Sequence, residues 1–344
     1  MRNSLSIVLF SIIALSCVPN SESNNRFPTS PTDKSLNSQA TVNVMDIPNP
    51  LVIDGIPIRN VSGYTVKITN PTKADFFVPD TENEPVECAI ADLRTDYCEK
   101  VIIDKKIECR MNLKKSCVPE KTTCRDLGRM DLNGGVLLHP LHTGRYWYEK
   151  FPHQIMINAN FFYVQAVSSY PYLVPCTSLA GPVISKGKVV SERITMDHRK
   201  RLFDVFGITK DRKILIETNA EFSAHENDFN YAIGGILIFK NDTFFTGRNK
   251  KNPYNRISIA MDGQGDLYLS AIWGKTKKNG LSIPQLIQFL RTKFDVKTIF
   301  QLDQGGSSFF HFTGLNGVKE SPPFDNQGYR PIPNFLAIKG LKEI

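Results

Sequence analysis

Lys297-Thr298-Ile299-Phe300-Gln301-Leu302-Asp303-Gln304-Gly305-Gly306-Ser307-Ser308 reads as a strand that delivers one carboxylate into a glycine turn followed by two hydroxyls. Thr298, Ile299, Phe300 and Leu302 suit a pleated, covered strand. Asp303 at its end is expensive to bury unless it is paired or hydrogen-bonded. Gly305 and Gly306 can take positive φ, and successive backbone N–H groups in such a turn can converge on an anion. Ser307 and Ser308 add donors. The same residues also fit a strand end closed by an Asx-type turn with no ligand.

Just upstream, Ser282 is a candidate helix N-cap, and Leu286, Ile287, Leu290 and Phe294 form an apolar stripe at helical spacing. Before that helix the second half of the chain is a series of short strands: Pro182 to Ser185, Ile214 to Glu217, Gly235 to Phe239 and Arg256 to Met261. Gly187, Asp211-Arg212-Lys213, Asn241-Asp242 and Asp262-Gly263 punctuate them. The expected fold class is α+β, with strand-rich mixed sheets, few helices and a small disulfide-rich insertion. No internal repeat is visible.

At the other end, Arg2 is the only charged side chain before Cys17, and Leu5 to Leu15 is an apolar run. That run falls far short of the roughly 20 residues a membrane-spanning helix needs, so it reads as an export signal. Ala14-Leu15-Ser16-Cys17 resembles a bacterial lipoprotein box in which Cys17 carries lipid, although the leucine normally sits one position earlier. An ordinary cleaved signal is the alternative. Residues 18–44 are rich in Asn, Ser, Pro and Thr and poor in large apolar side chains, as expected of a flexible tether. The expected organisation is a signal in 1–17, the tether in 18–44, an N-terminal region in 45–154 and the main domain in 155–344.

Seven cysteines divide into Cys17 and six others: Cys88, Cys98, Cys109, Cys117, Cys124 and Cys176. An even number in an exported chain favours three disulfides, whose pairing is open. Five of the six fall between 88 and 124, which suggests a small stapled subdomain that a bridge from Cys176 would tie to the main domain. Zinc is disfavoured, because no C-x2-C pair and no histidine pattern accompanies these cysteines.

Several separated blocks after about Ile155 occur in an order that resembles the phosphodiester glycosidase family. They are Ile157-Asn158-Ala159-Asn160-Phe161-Phe162, the run from Ser178 to Val190, Ala232-Ile233-Gly234-Gly235-Ile236-Leu237-Ile238 and Asn252-Pro253-Tyr254-Asn255-Arg256-Ile257-Ser258-Ile259-Ala260. The helix beginning at Gly280-Leu281-Ser282, the loop from Leu302 to Ser308 and Arg330-Pro331-Ile332-Pro333-Asn334 complete the set. The order and spacing are the specific part. Two positions depart from the family pattern: Gln304 replaces a glycine of Asp-Gly-Gly-Gly-Ser, and Ile257 replaces the threonine of an Arg-Thr pair.

The resemblance implies hydrolysis of the bond between a sugar's anomeric carbon and a phosphodiester. Asp303 is then the candidate catalytic carboxylate, as nucleophile or as the base that activates water. Arg256 is the candidate phosphate ligand, because a guanidinium grips two oxygens at once. Asn158, Asn160, Gly234, Gly235, Gly305, Gly306, Ser307, Ser308 and Arg330 are the further candidates for binding substrate. Taken alone, Asn158 and Asn160 also suit turns, Gly234 and Gly235 a bulge, and the arginines surface ion pairs. Glycoside hydrolysis usually needs a second carboxyl group, and Glu192, Asp197, Glu217, Glu221 and Asp262 are available. His198 and His225 could move protons. No cofactor is required, although a divalent cation could share a phosphate site.

A net charge of +8, with basic clusters at 198–201, 248–251 and 275–278, favours anionic partners. For an exported chain these are anionic glycans or sugar phosphodiesters, with the membrane reached through the lipid anchor. No nucleic-acid motif accompanies the charge. A non-catalytic surface lipoprotein that binds carbohydrate or a host ligand is the rival to an enzyme.

Overall fold

Alternation along each strand decides what it covers. In Arg256–Asp262, Ile257 and Ile259 join one buried cluster while Ala260 joins another, so the two faces of this strand are both covered. A computed structural model of the protein describes residues 39–86, 99–103, 106–110, 122–127, 137–162, 176–191, 203–245, 251–274, 280–315, 317–321 and 331–344. By its contacts the chain divides into Met1–Asn37, which lies outside the described residues, and Ser38–Ile344.

The larger sheet runs in the order Lys188–Ser191, Val183–Ser185, Phe229–Lys240, Val296–Gln301, Arg256–Asp262, Leu267–Gly274, Val61–Thr69, Thr41–Asp46 and Lys342–Glu343. Asp204–Thr209 also pairs with Phe229–Lys240, and Ile214–Glu217 continues outward from it. Its pairs are antiparallel except that Thr41–Asp46 and Lys342–Glu343 run parallel. The smaller sheet has the order Gly317–Ser321, Phe310–Gly314, Ile155–Asn158, Phe335–Lys339 and Asp75–Phe77.

The sheets share a core. Val66, Ile68, Ile257, Ile259, Phe300 and Leu302 from the larger meet Ile155, Ile157, Phe310, Phe312, Leu336 and Ile338 from the smaller. Each outer face is covered by a helix. Ile283–Phe294 lays Leu286, Ile287 and Leu290 over Ile238, Ala260 and Ile299. Gly144–Lys150 sets Trp147 against Met156, Phe335 and Ala337. The result is a strand-rich α+β fold in which both sheets are buried on both faces over much of their area.

The helix expected from Ser282 forms, with a capping box in which Ser282 and Gln285 each accept the other's backbone N–H. It ends at Asp295, in the left-handed region at φ 49°. Asn241 and Asp242 also take positive φ, 47° and 61°, in the turn that folds Phe229–Lys240 back onto Thr243–Phe244.

Three features differ from the sequence reading. The strand expected over Gly235 to Phe239 runs from Phe229 to Lys240, because Gly234 and Gly235 continue the ladder to Asp204–Thr209 instead of breaking it. Thr41 to Val44, assigned to the tether, pair with Val66 to Thr69. The boundary expected at 154–155 is crossed by both sheets: Val61–Thr69 sits inside the larger and Asp75–Phe77 edges the smaller. Cys124 and Cys176 form a disulfide, with the Cα atoms 5.7 Å apart. Cys17, Cys88, Cys98 and Cys117 and the side chain of Cys109 lie outside the described residues. A hairpin, Glu99–Ile103 with Lys106–Arg110, lies within the cysteine-rich stretch.

Candidate functional site

Val296–Gln301 is the strand anticipated from its residues, and it pairs on one side with Arg256–Asp262 and on the other with Phe229–Lys240. Asp303 follows at its exit, only 8% exposed. Its carboxylate accepts the Gln304 N–H at 2.8 Å, and its own N–H donates to the Ala159 carbonyl. Gly305 then turns the chain with φ at +72°, a value that favours glycine, and its N–H donates to the Asn255 carbonyl. Gly305–Ser307 is a single 3-10 turn, and Ser308 N–H closes it onto Gly305.

Gln304 needs no glycine's freedom. Its backbone is extended, at φ −131° and ψ 174°. Its side chain reaches Arg256, whose NH1 donates to the carboxamide oxygens of both Gln304 and Gln301. Gln301 Nε2 donates to the same Gln304 oxygen at 3.0 Å. Arg256 Nε donates to the Leu281 carbonyl at 2.8 Å and NH2 to the Asn252 carbonyl at 3.0 Å. The guanidinium also lies 5.4 Å from the centre of the Tyr254 ring.

Arg256 is the chemical centre of this arrangement. It is completely buried, its hydrogen bonds all go to neutral oxygens, and among the described residues no carboxylate lies within ion-pair distance. Burial pushes its pKa down to about 10, with Tyr254 opposing the shift. At neutral pH the group is still a cation, held where a cation is costly. The N-terminus of the helix Ile283–Phe294 begins two residues beyond Leu281 and adds to the local positive potential.

Unsatisfied polar atoms gather on the neighbouring residues. Among the described residues four buried side-chain polar atoms have no hydrogen-bond partner, and three are Asn255 Nδ2, Ser258 Oγ and Ser308 Oγ. Asn255 adjoins Arg256, Ser258 lies opposite Gln301, and Ser308 ends the glycine turn. Native interiors rarely leave such atoms unpaired, so these donors and acceptors are available to a ligand or water.

The remaining candidates fall into two groups. Asn158 donates to the Asp303 carbonyl at 3.1 Å and accepts the Phe309 N–H at 2.8 Å, so it clamps both ends of the 303–309 loop. Asn160 donates to the carbonyls of Ala180 and Pro182 and accepts from Asn334, whose own oxygen takes the Asn160 N–H. Both side chains are thus engaged within the protein. At Gly234 a Cβ would meet Asn160 Nδ2 at 2.8 Å and the Gly181 Cα at 2.9 Å, and at Gly235 it would meet the Phe300 ring at 2.5 Å. Close approach of the chain to itself accounts for both glycines. Ser307 is buried, and Gly306 is partly exposed beside it.

Glu217 accepts from His225, Glu221 caps the helix Asn219–Ser223 and pairs with Lys240, and Asp262 closes the turn to Asp266. Arg330, Glu192, Asp197 and His198 lie outside the described residues. Gln301 and Asn255 are site residues that residue-by-residue reading passed over. The signal was present: Gln301 is a carboxamide set between Phe300 and Leu302 in the covered run. Among the described residues no three His, Cys, Asp or Glu side chains group as metal ligands.

No protein-family model and no curated protein sequence matches the chain. Solved structures do. The catalytic domain of zebrafish N-acetylglucosamine-1-phosphodiester alpha-N-acetylglucosaminidase, auto-inhibited by its pro-peptide, superposes with a TM-score of 0.53 at 17% identity, over 89% of this chain and 85% of that one. The likeness is one of fold. A hypothetical protein from Synechocystis gives a TM-score of 0.45 at 11% identity over 88% of this chain and 62% of its own. A putative exported protein from Burkholderia pseudomallei gives 0.39 at 11% identity over 88% and 97%. Among the described residues no helix is long and apolar enough to cross a membrane.

Proposed function

We propose that the protein is an exported, lipid-anchored glycosidase that hydrolyses an anomeric sugar phosphodiester in envelope or host glycans. The observation that carries this reading is the fully buried Arg256 guanidinium, bonded to neutral oxygens alone and linked through Gln304 to the carboxylate of Asp303. A phosphodiester oxygen supplies the negative charge that such a cation lacks. Asp303, at the strand exit beside it, then faces the anomeric carbon. Either water attacks that carbon and gives its proton to the carboxylate, or the carboxylate attacks and water then hydrolyses the glycosyl ester; in both, the bond from the carbon to the phosphate oxygen breaks and a phosphomonoester leaves. Phosphate is a good leaving group and needs little help from a general acid.

Distant fold likeness to a phosphodiester glycosidase domain supports the same reading. One specific observation favours the rival, a carbohydrate-binding module without turnover: the Gln304 carboxamide occupies a guanidinium donor that substrate would use. Release of sugar from a synthetic N-acetylglucosamine 1-phosphodiester, measured beside the corresponding monoester, separates the readings. The glycosidase cleaves the diester. Cleavage of the monoester alone, or binding with no cleavage of any sugar diester, overturns the proposal.

A further inference from the structure

A cleft lies away from Asp303, at the other end of the strand Phe335–Lys339. Phe335–Lys339 pairs with Ile155–Asn158 so that Phe335 faces Asn158, beside Asp303, while Ile338 faces Ile155 and Lys339 lies beyond. Four residue steps of the strand separate the two ends, about 13 Å. At the far end is a cleft of about 540 Å³ lined by Asp75, Phe77, His153, Tyr231 and a set of cations.

Three turns bring those cations together. Lys186, at φ 51°, precedes Gly187, whose N–H donates to the Asn230 carbonyl and docks this turn on the cleft. Lys210 and Arg212 sit on the turn after Asp204–Thr209, with Arg212 at φ 67°. Lys339 ends its strand just before Gly340. Arg212 is spent on structure: it donates to the Thr72 and Ala74 carbonyls and lies 3.7 Å from Asp75. Lys213, on the same turn, pairs with Asp211. Among the described residues Lys186, Lys210 and Lys339 have no ionic partner, and Asp75, already facing Arg212, is the one carboxylate in the lining.

Between these ammonium groups the wall is aromatic and hydroxylated. The Phe77 and His153 rings stack at 5.3 Å, and Tyr231, Thr72 and Asn230 line the same cleft. Unpaired cations call for an anionic group, ring faces for the C–H face of a sugar, and hydroxyl and carboxamide groups for sugar hydroxyls. We propose that this cleft binds an anionic sugar of one or two rings, carrying a carboxylate or a phosphate, independently of the Asp303 site.

The test is calorimetric titration of the full chain with digalacturonate, glucose 6-phosphate, maltose and inorganic phosphate. One or both anionic sugars bind, and which of them binds names the acidic group; maltose does not bind. Lys210→Glu combined with Lys339→Glu, two exposed positions, weakens that binding at least about tenfold with an unchanged circular dichroism spectrum. Asp303→Asn leaves it as it was. The proposal is overturned if neither anionic sugar binds at millimolar concentration, if maltose or inorganic phosphate binds as tightly, or if the charge reversals change nothing.

Discussion

Replacing Arg256 with methionine separates a ligand-binding arginine from one that braces the fold. In the protein the cation is disfavoured: burial lowers its pKa to about 10, which corresponds to about 3 kcal/mol against the charged form. Methionine fills a similar space and removes that cost. What it leaves behind is the Leu281 carbonyl and the Gln301 carboxamide oxygen, both buried and both without their donor. Two such orphans cost about 4 kcal/mol together, at 1–3 kcal/mol each. Asn252 is exposed and can turn to water, and Gln304 keeps its bond from Gln301. The net loss is then about 1 kcal/mol, a fall of about 2–4 °C in Tm. Ligand response is the sharper readout. A sugar phosphodiester at a hundred times its Kd adds about 2.7 kcal/mol to the wild type. In Arg256→Met that increment disappears. Thermal melts with and without the diester measure both effects. A loss of more than about 4 kcal/mol would make Arg256 a brace of the fold, and a variant that gains as much from the diester as the wild type does would exclude it as the phosphate ligand.

Gln304→Gly frees the NH1 donor of Arg256, so affinity for a sugar phosphodiester should rise, and titration giving equal or weaker binding would count against Gln304 as an occupant of the phosphate position. Loss of the Cys124–Cys176 bridge, which spans 52 residues, should cost about 4 kcal/mol; denaturant melts of the double serine variant check this, with an unchanged midpoint as the contrary result. Acid should weaken the protein through His139 and His142, whose pKa values burial pushes down to about 4. The folded state holds both neutral while the unfolded chain protonates near 6.5, so their contribution is intact above pH 6.5 and is lost as pH falls from there toward 4. Between pH 7.5 and 5 each should account for about 2 kcal/mol, and glutamine at both positions should flatten the curve.

The helix from Ser282 and the strand into Asp303 were legible because each is specified by neighbours in sequence: a capping residue, an apolar stripe, a short covered run. The long strand Phe229–Lys240 was not, since adjacent glycines read locally as a break. Only the approach of Gly181, Asn160 and Phe300 gives them a reason to lie within a ladder. The same holds for Thr41–Asp46. Its Thr41-Val42-Asn43-Val44 alternation is brief and continues a polar run, and it forms a strand because Val61–Thr69 and Lys342–Glu343 offer it two edges.

At the site, Asp303 and the positive φ of Gly305 follow from residue type and position. The Arg256–Gln304–Gln301 cluster does not, because it joins residues up to 48 positions apart through side chains whose direction depends on strand register. Asn158 and Asn160 have intramolecular roles that local reading did not supply. Carboxamides at a strand end suggest contact with substrate, yet both are engaged with loops from elsewhere in the chain.

In the proposed reaction Asp303 carries the hydrolysis of a sugar phosphodiester. Turnover of N-acetylglucosamine 1-phosphodiester by the soluble chain from Thr41 onward should be measurable and should fall by at least about a thousandfold in Asp303→Asn, with Tm and diester affinity largely kept. Turnover that survives the substitution in a folded variant would contradict it.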